Sequence, residues 1–208
     1  MSLLDLIYPK NCLECHRNGT YICLPCLNKV RKVGYCVRVG GIDRRISLWK
    51  YEGVIKKAIW AMKYRFVRGL ADELGDLVVT ELRRRKIELQ DSILVPIPLS
   101  NSRARWRGFN QAQIVAEKIG KGLGSSVENR LLLRVKTGDT QVGRGRQERV
   151  RNIRGVYAVN EDIEILRYED IKLILVDDVW TTGATVVEAA KVLKRAGVKE
   201  VLAITVCG

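Results

Sequence analysis

Long apolar runs are missing from this chain, acidic residues are scarce, and histidine occurs once. No apolar stretch approaches the roughly 20 residues that a membrane-spanning helix needs, so membrane insertion is not expected. The N-terminus, "MSLLDLIYPKNC", lacks both a basic leader and an uninterrupted apolar core, which argues against a signal peptide and for a cytoplasmic protein. There is no internal repeat and no low-complexity linker. The shortage of acid is marked: 37 Lys and Arg stand against 23 Asp and Glu in 208 residues, a net charge of +14. The excess is uneven. Residues 103–154 carry thirteen cations and four acids, whereas residues 161–208 carry six and nine. A clustered basic middle suits a polyanionic partner such as a phosphate, a diphosphate or a nucleic acid, although a solvated surface is the plain alternative.

What is present reads as an α/β protein. Residues 1–41 are rich in cysteine and turns. A short strand is expected over 46–51, then two amphipathic helices in "GVIKKAIWAMKY" and "LADELGDLVVTELRRRK". Beyond them strands and helices alternate. "DSILVPIP" is a strand closed by prolines, and "FNQAQIVAEKIGKGL" is a helix with Asn110 near its N-cap. "ENRLLLRV", "GVYAV", "IKLILVDD" and "EVLAITV" are further strands, with a helix over 184–196 before the last. The pattern predicts a mostly parallel sheet flanked by helices. The expected organisation is a cysteine module over 1–41, a linking strand and helices over 42–90, and a core over 91–208.

The most informative stretch is "KLILVDDVWTTGAT". An apolar strand runs into Asp177 and Asp178, and a Thr-Thr-Gly-Ala-Thr turn opens the next helix. Ligands gather at the carboxyl ends of strands in such sheets. Backbone N–H groups at a helix start, with the hydroxyls of Thr181, Thr182 and Thr185 and the bare backbone of Gly183, make a phosphate cradle without a Walker lysine. Carboxylates beside it would repel phosphate unless they serve another part of the same ligand, and vicinal sugar hydroxyls fit. The stretch resembles the ribose-5-phosphate loop of type I phosphoribosyltransferases. That resemblance implies binding of phosphoribosyl pyrophosphate (PRPP), with Asp177 and Asp178 on the ribose and Thr181, Thr182, Gly183, Ala184 and Thr185 on the 5-phosphate. Trp180 reads as packing.

A second constellation, "LVPIPLSNSRARWRGFNQAQ", places Arg103, Arg105 and Arg107 in a loop before a helix, where guanidinium groups suit a diphosphate or simply face solvent. It is similar to the pyrophosphate loop of the ComF family. The similarity implies diphosphate contacts from Ser100, Arg103 and Arg107, with Phe109 in the core. "LLRVKTGDTQVGRGRQERVRNIRGVYAV" resembles that family's flexible loop, with Thr140, Gln141 and Arg149; a lid over the substrate and a track for nucleic acid are both open to it. "WAMKY" resembles the family's segment ahead of the core, which marks Lys63 as a candidate, although a lysine there can also merely snorkel.

"CLECHRNGTYICLPC" supplies Cys12-x-x-Cys15 and Cys23-x-x-Cys26, two knuckles suited to one tetrahedral, structural zinc ion. His16 adjoins the first. ComF proteins carry a further pair downstream, where this chain keeps only Cys36; Cys207 reads as a small buried hydrophobe. The resemblance to ComF implies a role in natural competence, with PRPP and Mg²⁺ at the pocket and single-stranded DNA and DNA-uptake proteins as partners. Two functions follow: a phosphoribosyltransferase, or a DNA-handling accessory that keeps the pocket as a sensor or vestige. No ready general base stands near either loop.

Overall fold

The structure, a computed structural model, describes residues 10–135, 155–163 and 171–208. A short helix α1 (Leu24–Leu27) closes the cysteine segment. A hairpin of β1 (Tyr35–Val39) and β2 (Ile42–Trp49) follows, then the helices α2 (Gly53–Tyr64) and α3 (Arg68–Arg84). Strand β3 (Ser92–Pro96) leads through α4 (Asn101–Arg107) and α5 (Gln111–Leu123) to β4 (Ser126–Val127). Strands β5 (Leu132–Arg134) and β6 (Tyr157–Val159) pair with each other in a separate antiparallel ribbon. Finally β7 (Lys172–Val179), α6 (Ala184–Arg195) and β8 (Glu200–Cys207) complete the described chain.

The main sheet has six strands in the order β1-β2-β8-β7-β3-β4, antiparallel between β1 and β2 and parallel elsewhere. Strand β7 is apolar from Leu173 to Val176, where both of its faces are covered. Ile174 and Val176 join one core with α2, α3 and α5. Leu173 and Leu175 join another with α6 and the β5–β6 ribbon. The longer helices α2, α3, α5 and α6 each bury an apolar stripe, as Val54, Ile55, Ala58, Ile59 and Met62 of α2 do. Among the described residues no helix is long and apolar enough to cross a membrane.

Two local differences from the sequence pattern have physical reasons. The strand expected over 46–51 starts at Ile42 and pairs with β1, in a stretch that reads as turns. Gly40 and Gly41 both take positive φ, 57° and 93°. Such a two-residue turn matches the twist of a hairpin, so the Gly-Gly pair was the available signal. The three arginines expected in a loop form the helix α4 instead. The Ser100 hydroxyl caps it by accepting from Arg103 N, and Gly108 ends it in the left-handed conformation.

This topology positions the site. From β3 the chain moves through α5 to β4 on one side; from β7 it moves through α6 to β8 on the other. The reversal leaves a crevice at the carboxyl ends of β3 and β7, the usual ligand position in such sheets.

Candidate functional site

Strand β7 does not stop before its acidic pair; it continues to Val179. Successive side chains of a strand leave on opposite faces, so Asp177 and Asp178 part company. Asp178 is 4% exposed and lies on the α2 and α5 face. It accepts from Lys63 Nζ at 2.9 Å and from Gln111 Nε2 at 2.7 Å. Burial works against the Lys63 ammonium, but Asp178 and Asp177 outweigh it and its pKa moves up. Asp177 lies on the other face, within electrostatic reach of Tyr157. Its Oδ1 accepts from Asp178 N at 2.8 Å. Although part of its surface stays open, surrounding protein and the adjacent Asp178 push its carboxyl from 3.8 up to about 7.

The turn after the strand is shaped by Trp180 and Gly183. Gly183 has φ 71°, and a Cβ there would sit 2.1 Å from Trp180 Cζ2. Trp180 therefore packs flat across the glycine, with the Arg45 guanidinium 4.5 Å from its ring. Trp180 N donates to Cys207 O at 2.7 Å, which ties the turn to β8. The N-cap of α6 is Gly183, which has no side chain to offer, so the first N–H groups beyond Ala184 can serve a ligand. Thr182 Oγ1 accepts from Ala184 N at 3.3 Å, while Thr181 is exposed and Thr185 half-buried.

Across the crevice, α4 carries Arg103 and Arg107 one turn apart and hence on one face, with Arg105 exposed on another. Arg107 is 7% exposed. Its Nη1 donates to Gln111 Oε1, whereas its Nε is buried with no hydrogen-bond partner among the described residues. Burial lowers its pKa, partly offset by Asp178. Asn110 caps α5 through Ala112 N and donates to Ile97 O at 3.0 Å, which fixes the helix start beside β3. Phe109 packs half-buried against the core.

A continuous relay thus runs from Arg107 through Gln111 and Asp178 to Lys63. Gln111 was missed in the sequence, where the first position of an apolar helix carries no sign of what it faces. The structure brings Lys63, Arg107, Asp178 and Gln111 into direct contact. Thr140, Gln141 and Arg149 lie outside the described residues.

The sulfurs of Cys12, Cys15, Cys23 and Cys26 lie within 4.8 Å of one another. Tetrahedral zinc thiolate bonds of about 2.3 Å put sulfurs near 3.8 Å apart, so the four could hold a structural metal ion. Burial and the neighbouring thiols of Cys23, Cys15 and Cys12 push Cys26 up to about 12, a state that a dication would reverse. His16 is exposed and outside the group. Cys36 falls on β1, and its side chain lies outside the described residues. Cys207 is fully buried, its thiol 3.6 Å from Asp178 O.

Comparison with known proteins gives a consistent set of relatives, and no family model matches the chain. The chain is 26% identical to Competence protein F of Haemophilus influenzae, over 91% of this chain and 93% of that protein. It is 27% identical to the DNA utilization protein YhgH of Salmonella typhimurium, over 94% of this chain and 83% of the relative. A shorter match, 34% identical, covers 50% of this chain and 39% of Competence protein ComFC of Bacillus subtilis.

Proposed function

We propose that this chain, similar over most of its length to Competence protein F and to the DNA utilization protein YhgH, is a ComF-type protein that binds PRPP at the crevice between β3 and β7, in the service of DNA uptake or use. The observation that carries this reading is the convergence at one topological switch point of two chemistries. The Thr-Thr-Gly-Ala-Thr turn and the start of α6, whose N-cap is a glycine, suit the 5-phosphate. Arg103 and Arg107 suit the diphosphate, and the unpartnered Nε of buried Arg107 is the kind of donor that an anion satisfies. Asp177, whose Oδ1 accepts from Asp178 N, takes the ribose hydroxyls. Asp178 holds Lys63 and Gln111 in place and contributes its remaining lone pairs to the sugar.

In a transfer reaction an acceptor nucleophile attacks ribose C1 and pyrophosphate departs through an oxocarbenium-like state. Arg103, Arg107 and the α6 N–H groups stabilise the charge that develops on the phosphates. Mg²⁺, bound with the diphosphate, supplies further neutralisation. The four-cysteine cluster holds a structural zinc ion with no open coordination position. A second reading, a DNA-handling accessory that keeps the pocket as a sensor, is favoured by one observation. The single histidine lies in the cysteine module, so no imidazole base serves the crevice.

Calorimetry with Mg·PRPP tests the pocket. Arg107→Ala and Asp178→Ala are each expected to weaken binding at least tenfold, on the order of the 1.4 kcal/mol or more that a charged hydrogen bond contributes. Unchanged binding by both variants sinks the site assignment. Pyrophosphate release in the presence of nucleobases or amines separates the enzyme from the sensor.

A further inference from the structure

Away from the crevice floor, four large aromatic side chains share one surface. Trp60 is 48% exposed, Tyr64 43%, Phe66 39% and Trp106 56%. They touch in series. Trp60 and Tyr64 have ring centroids 5.5 Å apart, Tyr64 and Trp106 6.4 Å, and Trp106 and Phe66 4.6 Å in an edge-to-face pair. Single exposed aromatics are ordinary, but a contiguous apolar patch on a surface marks a binding site. Phe66 is further held at φ 56°. A bulky residue in the left-handed region is an outlier that persists only where its surroundings impose it.

The chemistry around the rings says what covers them. No acidic residue occurs in residues 53–71 or 92–116, the two segments that supply the aromatics, while Lys56, Lys57, Arg65, Arg68, Arg103 and Arg105 do. The Arg65 guanidinium lies 5.3 Å over the Trp60 ring. Beside it a groove of about 430 Å³ opens between α2 and the cysteine module, lined by Lys56, Lys57, Trp60 and Arg65 with Leu13 and Glu14. One of these cations is already answered, since Lys57 pairs with Glu14 at 3.1 Å. The partner that presents flat apolar faces at short intervals along a chain of negative charges is a single-stranded nucleic acid.

We propose that Trp60, Tyr64, Phe66 and Trp106 form a stacking platform for successive bases of a single strand, whose phosphates follow Lys56, Arg65 and Arg105. The platform rests on the tie to DNA given above and not on PRPP binding. A duplex keeps its bases stacked internally and gains nothing from these rings, so the platform selects single strands.

Fluorescence anisotropy on the full chain, with a labelled oligothymidine of roughly 20 nucleotides, covers more than one such site and tests this. Trp60→Ala and Trp106→Ala are each expected to weaken binding roughly tenfold and to leave the salt dependence of binding unchanged, because stacking carries no counterions. Lys56→Gln and Arg65→Gln are expected to shallow the salt slope by about one each. The rings are exposed, so both tryptophan variants should melt with the wild type and bind Mg·PRPP as it does. If the aromatic variants hold the strand as tightly as the wild type, the platform is wrong while the DNA reading stands. If the wild type binds no strand, the DNA reading fails and the platform with it. Equal affinity for duplex, or equal quenching of tryptophan fluorescence by thymidine monophosphate, also overturns the proposal.

Discussion

Asp177 is under two opposed demands. Its carboxyl, pushed up to about 7, holds a proton that an unfolded chain releases near 3.8. Between those values the folded state binds the extra proton, so the contribution to stability is full below the ordinary carboxyl range and is lost as pH rises through about 7. Asparagine keeps an oxygen for Asp178 N and carries no charge. Asp177→Asn should therefore match the wild type only near pH 3.5, below the ordinary carboxyl range, and exceed it in denaturant at pH 8, by on the order of 4 kcal/mol. The same variant should bind Mg·PRPP at least tenfold more weakly, since a neutral amide is a poorer acceptor for sugar hydroxyls. An identical pH dependence for both proteins would show that the raised pKa is not a cost of folding. The acidic pair itself was legible in the sequence as an apolar run ending in two carboxylates. Its division between two faces was not, because that depends on how far β7 continues before the turn.

Elements are joined here by a few buried charges and one tight turn. Glu81 of α3, 5% exposed, accepts from Lys32 at 2.9 Å, Arg84 at 2.7 Å and Arg85 at 2.8 Å. Arg85 in turn donates to Val33 O and Leu48 O, so one carboxylate ties α3 to the segment before β1 and to β2. Burial opposes the Glu81 carboxylate, but the three cations outweigh it and hold it at about 2, below the usual 4.5. That stability is present above pH 4.5 and is lost as pH falls toward 2. Glu81→Gln should cost about 3 kcal/mol at neutral pH, read by urea unfolding, and should flatten the acid limb of the stability curve. At the β7–α6 turn, Gly183→Ala should cost more than about 1 kcal/mol from its left-handed φ alone, with the contact against Trp180 added. Trp180→Ala removes that contact, so the double variant should lose less stability than the sum of the singles. Simple additivity would mean that the ring moves aside freely. Helices and strands with strong periodicity were readable in advance; α4 was not, since seven residues with three arginines offer no apolar stripe, and only Ser100 at its cap marked it.

At the scale of the molecule, strand–helix alternation announced a parallel sheet, yet nothing local revealed that β2 pairs with β8. Arg44 stands opposite Leu202 and Trp49 opposite Cys207, partners that the chain separates by most of its length. The same limit applies to the cysteine segment, whose spacing marks a metal module and says nothing of where it docks. Cys12, Ile22, Cys23, Cys26, Leu27 and Val30 belong to one apolar core with α2, α3 and the sheet. The Glu73 carboxylate of α3 accepts from the Thr20 hydroxyl at 2.5 Å, Ile22 N at 2.7 Å and Tyr21 N at 3.1 Å, which clamps the segment between its two cysteine pairs. A module docked in this way cannot come apart without exposing the face of α2 and α3 that supports Lys63. Removing the metal with a chelator, or by Cys12→Ser, should lower the melting temperature of the whole protein in one transition and weaken Mg·PRPP binding with it. Glu73→Ala should act in the same direction with the metal still bound, which separates docking from coordination. An early melting step that leaves the main transition and the ligand affinity untouched would show instead that the cysteine module folds on its own.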